Sequence, residues 1–224
     1  MSTGMVKWIN VIFLVCAAAR GLLAQDFKQD VIELQKEFEN MTSVHIVMDV
    51  KAYGNVKEAR PYFQLHVDVK KQGNRYRYVY GDTEMLMNDN YLVMVNKTER
   101  QIAVTKRDVR SEAVIAKSMH FNLDSMISTI GTVEYKGEVS GVRQYTVPAS
   151  KRVPETDLYI EVQTKSLFRI QYHYPEGQLV NIDFKTFDKQ PVFADNTFNE
   201  ANYVTVVKDK AIPVSAFKNF TVTK

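Results

Sequence analysis

The chain has 224 residues, is 45% hydrophobic and 25% charged, and carries one cysteine and a formal net charge of +3. That is enough apolar material for one well-filled domain and too much for a disordered chain. A single cysteine excludes a disulfide scaffold, and so small a charge gives little electrostatic support for holding nucleic acid.

The first stretch, MSTGMVKWINVIFLVCAAARGLLAQ, places Lys7 ahead of an apolar run from Trp8 to Ala19 with small residues at its end. This is the layout of a secretory signal, and Arg20 cuts the run below the roughly 20 residues that a spanning helix needs. Cleavage can follow Ala19 or Ala24. We take residues 1–24 as the signal peptide and 25–224 as one domain. Cys16 lies inside the signal, and Val15 before it makes a poor lipidation site, so an exported, soluble product without cysteine is expected. Loss of Lys7 and Arg20 leaves 27 basic against 26 acidic residues, close to neutral.

DFKQDVIELQKEFENM spaces Val31, Leu34, Phe38 and Met41 at helical intervals, with Asp26 or Asp30 available as a cap. From Val44 the period becomes two. Val44, Ile46, Met48 and Val50, then Phe63, Leu65, Val67 and Val69, alternate with polar residues, as half-buried strands do. Turns at Gly54-Asn55, Gly73-Asn74, Gly81-Asp82, Asp89-Asn90 and Lys97-Thr98-Glu99 predict an antiparallel meander. Between them, TEMLM and YLVMV are apolar on both faces, more than a surface strand requires. Residues 111–129 return to helical spacing through Val114, Ile115, Met119, Leu123, Met126 and Ile127, and Gly131 can end that helix. Strands resume in TVEYKGE, VRQYTVP, DLYIEVQ, LFRIQYHYP, LVNIDFKTF and YVTVV. Roughly ten strands is about the size at which a twisted sheet curls or splits.

The leading helix, the strand pair and NRYRYVYGDTEMLMNDNYLVMVNKTERQI resemble the LolA/LolB superfamily of lipoprotein carriers. Arg100-Gln101-Ile102 fits the segment that follows the family's aromatic-rich strand, and DLYIEVQ to YVTV resembles its closing meander. Two features depart from it: Tyr91-Leu-Val-Met-Val-Asn96 replaces a Trp-bearing strand, and residues 208–224 run past the usual end, as an added edge strand or a tail. The resemblance implies a mainly β fold with α: a strongly curved antiparallel sheet forming an incomplete β-barrel, covered by helical lid segments and enclosing an apolar cavity. Val67, Val69, Tyr78, Tyr80, Met85, Met87, Tyr91, Val93, Val95, Ile182 and Phe184 are expected to line that cavity, with Leu34, Phe38, Met119 and Leu123 on the lids. The implied function is a monomeric periplasmic carrier of lipid or lipoprotein acyl chains, with an inner-membrane donor and an outer-membrane acceptor. A lipid- or lipoprotein-sensing module acting through a protein partner is the alternative.

No catalytic pattern competes with that reading. His45, His66, His120 and His173 are scattered, without ligand spacing, and His66 and Asp68, which share a strand face, are expected to be solvent-facing strand residues. No nucleophile elbow, P-loop or dinucleotide motif occurs, so neither an enzyme nor a cofactor is expected. Arg75 and Arg77 alternate with Tyr76, Tyr78 and Tyr80, a pattern that can stack bases but more often marks a strand with an aromatic inside and a basic outside. The segment 106–110 reads as a solvated basic loop. Met85, Met87 and Met94, with Met119 and Met126, supply flexible thioethers that suit either an ordinary core or a wall for variable apolar ligands.

Overall fold

A computed structural model describes residues 27–38, 40–108, 133–150, 153–208 and 210–223. The signal segment and the helix expected over 111–129, with Met119, Leu123 and His120, lie outside them. Helix α1 covers residues 27–38 and 40. The strands are β1 (Ser43–Tyr53), β2 (Phe63–Gln72), β3 (Arg75–Tyr80), β4 (Thr83–Met87), β5 (Tyr91–Asn96), β6 (Gln101–Lys106), β7 (Glu134–Val139), β8 (Val142–Val147), β9 (Glu155–Glu161), β10 (Ser166–His173), β11 (Leu179–Asp188), β12 (Val204–Val207), β13 (Lys210–Pro213) and β14 (Thr221–Thr223). Twelve of them follow the hydrogen-bonded order β14-β6-β5-β4-β3-β2-β1-β11-β10-β9-β8-β7, while β12 and β13 pair separately. The chain is therefore mainly β, with a long sheet that does not close on itself. The sheet departs from the antiparallel meander at β14, which joins β6 in parallel.

The chain falls into two compact units, residues 1–39 with 122–179 and residues 40–121 with 180–224. In the first, α1 packs on the sheet through Phe27 and Val31, one helical turn apart and both buried. The Phe27 ring meets Tyr145 edge-on at 5.0 Å. Asp30 does not cap the helix, which has already begun at residue 27. Its carboxylate instead accepts 2.6 Å from the Tyr145 hydroxyl and 3.0 Å from Arg143 Nη1, and Arg143 Nε also donates to Glu138 at 3.0 Å. This clamp fixes the helix on β8 beside a core of Val147, Leu158, Ile160 and Ile170.

The second unit owes its register to tight turns. Gln72 pairs with Arg75 across Gly73-Asn74, and Tyr80 with Thr83 across Gly81-Asp82. Both glycines hold positive φ, 57° and 55°, as the first position of a two-residue hairpin turn of this kind requires. Asn88 opens the next turn, where its Oδ1 accepts from the backbone N–H groups of Asn90 and Tyr91, both at 2.9 Å.

Candidate functional site

Register sorts the side chains of β1–β6 between two faces, because directly opposed residues share a face and neighbours along a strand do not. One face carries Val67 beside Tyr80, Val69 beside Tyr78, Tyr78 beside Met85, Met85 beside Met94, and Met87 beside Tyr76 and Leu92. Ile46 and Met48 extend it on β1 opposite Val69 and Val67. The other face carries His45, Asp49, His66, Asp68 and Lys70 on β1 and β2, then Leu86, Val93, Val95, Ile102 and Val104 on β4–β6.

The second apolar face of β4 and β5 thus has a structural explanation. Leu86, Val93, Val95 and Ile102 are at most 1% exposed, and they cluster with Phe198, Tyr203 and Val204. Phe217, Phe220 and Val222 pack against the same cluster. The residues beyond the expected end of the fold supply part of this cover through Phe217, Phe220 and Val222. β14 seals the edge with Val222 opposite Ile102 and the Thr221 N–H bonded to Arg100 O at 2.9 Å.

A buried polar clip fastens the cover. Glu84, with 9% of its side chain exposed, accepts from the Tyr203 hydroxyl at 2.5 Å, from Lys97 at 2.7 Å and from Arg77 at 3.2 Å. Burial pushes its pKa up, but the hydrogen bonds from Lys97, Tyr203 and Arg77 outweigh this and hold the carboxyl below its ordinary 4.5. Burial, reinforced by the bond to Glu84, pushes the Tyr203 phenol up to about 12. Asn88 adds a second tie, donating to Phe198 O at 3.2 Å and to Glu200 at 2.6 Å. A cleft of about 330 Å³ beside the clip is lined by Arg77, Glu84, Asn196, Asn202 and Tyr203, a polar setting unsuited to an acyl chain.

The residues expected along one cavity therefore divide. Val67, Val69, Tyr78, Tyr80, Met85 and Met87 stand together on the face opposite the C-terminal cover, where alternation also puts Leu92 and Met94. Tyr91, Val93 and Val95 belong to the opposite face and its dry core. Ile182 and Phe184 stand half-buried on β11, where the Phe184 ring lies 6.3 Å from that of Phe187. Leu34 and Phe38, half-buried, stand on α1 in the first unit.

Exposure along the face opposite the C-terminal cover is graded. Val44, Ile46, Val67, Val69 and Met87 are buried; Tyr76, Tyr78, Met85 and Leu92 are half-buried; Met94 is 46% and Tyr80 56% exposed. Tyr76 and Tyr78 stack with an interplanar angle of 9°, and burial pushes the Tyr78 phenol above its usual range.

The histidines are not simply solvated. His45 lies 3.1 Å from Asp68, His66 2.9 Å from Asp49 and His173 3.2 Å from Asp157, each pair bridging neighbouring strands. No group of three potential metal ligands occurs among the described residues. Arg107, expected in a solvated loop, is 10% exposed and donates to Asn88 O at 2.9 Å.

No protein-family model matches the chain, and no curated protein matches it either. Solved structures do. An uncharacterised conserved protein from Thermus thermophilus matches 88% of this chain and 98% of its own, with a TM-score of 0.48 and 10% identity. Lipoprotein LppX of Mycobacterium tuberculosis matches 75% and 97%, at 0.41 and 13% identity. A LolA superfamily protein from Nitrosomonas europaea matches 80% and 98%, at 0.32 and 10% identity. The chain is similar to these proteins at identities and scores that leave its function to its own side chains.

Proposed function

We propose that this protein binds acyl chains of lipids or lipoproteins on the face of β1–β6 opposite the C-terminal cover, as an exported, non-enzymatic carrier working across the periplasm. The observation that carries this is the strip of half-buried Tyr76, Tyr78, Met85 and Leu92 with the exposed Met94, an apolar surface continuous with the buried Val67 and Val69. The other face of β4–β6 spends its apolar residues on the C-terminal cover, whereas Tyr80 and Met94 on this one stay exposed.

Each methylene taken from water contributes about 0.8 kcal/mol, so about ten of them match the free energy of a micromolar complex before ordering costs are charged. Thioethers and tyrosine rings suit chains of differing length, because a Met side chain re-packs easily and a Tyr offers a broad apolar side. The N-terminal residues 1–24 support export by their layout.

Native mass spectrometry of the protein purified from its own cells tests the reading, together with titration of a fluorescent fatty acid. Co-purifying lipid and saturable binding of the probe are expected. A lipid-free protein that also leaves the probe in solution would contradict it.

A further inference from the structure

The face opposite the C-terminal cover carries one charged side chain on β1–β6 among the described residues, Lys71, and that position points to the class of ligand. Lys71 pairs with Val44 on one side and Tyr76 on the other, in the row that continues through Met87 to Leu92. Its Nζ donates to the Met41 carbonyl at 2.9 Å, and among the described residues no carboxylate is within ion-pair distance. The nearest acid in sequence, Asp68, lies on the other face and is engaged by Lys70 at 2.9 Å and by His45. Among the described residues, one carbonyl meets the three donors of this half-buried ammonium.

We infer that Lys71 receives the anionic head of an amphiphile whose tail lies along the wall, so that the ligand is an acyl chain ending in a carboxylate or a phosphate rather than a neutral lipid. This rests on the acyl-binding reading above. Lys71 stands at one end of the wall and Phe63 at the other, on the same face of β2. Eight residues of strand separate them, a span of about 26 Å. Phe63 is 47% exposed, which leaves the far end apolar and accessible. The arrangement of one cation at one end and apolar side chains along the remainder matches an amphiphile with a single anionic end. A lysine acts here as a compact point charge and serves either oxyanion, without the planar fork that would single out a bidentate partner.

The test uses three amphiphiles with the same tail, laurate, dodecyl phosphate and dodecanol, each displacing the neutral dye N-phenylnaphthylamine from the full protein. Laurate and dodecyl phosphate are expected to displace the dye at roughly ten- to hundredfold lower concentration than dodecanol, the usual strength of a charge-assisted hydrogen bond. Lys71→Met keeps the aliphatic stem and should bring the anions to the level of dodecanol while leaving dodecanol unchanged. Lys71→Arg should retain most of the preference. Laurate ahead of dodecyl phosphate would assign a carboxylate head, and the reverse order a phosphate. Dodecanol as effective as both anions, or a preference that survives Lys71→Met in a variant with the wild-type melting curve, would overturn the inference and leave the acyl-binding reading standing. Failure of the dye and all three amphiphiles to bind would overturn both.

Discussion

Val93 and Met94 are adjacent in β5 and face opposite ways, so truncating each in turn separates a sealed core from a binding wall. Val93 is 0% exposed and sits among Leu86, Ile102, Tyr203 and Val204. Val93→Ala deletes two methyl groups, worth about 1.6 kcal/mol of transfer at about 0.8 each. The space left behind raises the cost to about 2–3 kcal/mol, because the surroundings relax only in part. Met94 is 46% exposed, and Met94→Ala should cost less than about 1 kcal/mol. Binding should show the reverse order. Met94→Ala removes wall surface and is expected to weaken a fluorescent fatty acid severalfold, whereas Val93→Ala should leave its affinity within twofold. Urea unfolding followed by circular dichroism gives the stabilities, and titration of the folded variants gives the affinities. Equal destabilisation by the two substitutions, or loss of probe binding in a folded Val93→Ala protein, would refute the assignment of the two faces.

Glu84→Gln should cost about 1–3 kcal/mol through the loss of its charged bonds to Lys97, Arg77 and Tyr203, measured by urea unfolding. Because the folded Glu84 pKa lies below 4.5, its contribution is present above that pH and is lost as pH falls through the folded value; Glu84→Gln should remove that part of the acid destabilisation. Asp30→Asn should release α1 from Arg143 and Tyr145, with faster amide hydrogen exchange over residues 27–38 and little change in β1–β6. Gly81→Ala should destabilise by more than Gly73→Ala. Both residues have positive φ, but only at Gly81 would the added methyl meet the Leu65 Cδ1, at 2.9 Å, and comparison of the two thermal midpoints checks it.

Much of this architecture was legible because β-strands advertise themselves by period. The alternation in Val44–Val50 and Phe63–Val69 and the turns at Gly73-Asn74, Gly81-Asp82 and Asp89-Asn90 predict the strands that β1–β5 form. The error lay in grouping Val93 and Val95 with Met85 and Met87. A two-residue turn at Asp89-Asn90 opposes Asn88 to Tyr91, and from there Met87 to Leu92 and Met85 to Met94, so the turn already contained the answer. What the pattern did not contain was the destination of residues 189–224. YVTVV reads as another strand of the main sheet, yet β12 pairs with β13, and β14 joins β6 from more than a hundred residues away. Asp30 reads as a cap by local rules and becomes an ion-pair acceptor because Arg143 and Tyr145 are brought to it by β8, a long-range contact that local spacing does not encode. Lys71 is hidden for a similar reason: in sequence it is one of a Lys-Lys pair, and only register separates it from Lys70.

The central claim, that acyl chains lie against the face of β1–β6 opposite the C-terminal cover, is tested most directly by photo-crosslinking with a fatty acid that carries a diazirine near the end of its tail, followed by peptide mass mapping. The account predicts adducts on β3–β5 at Tyr78, Tyr80, Met85 or Met94, competed away by unlabelled fatty acid. Adducts confined to Val93, Val95, Ile102 or the C-terminal cover, or labelling that no competitor reduces, would contradict it.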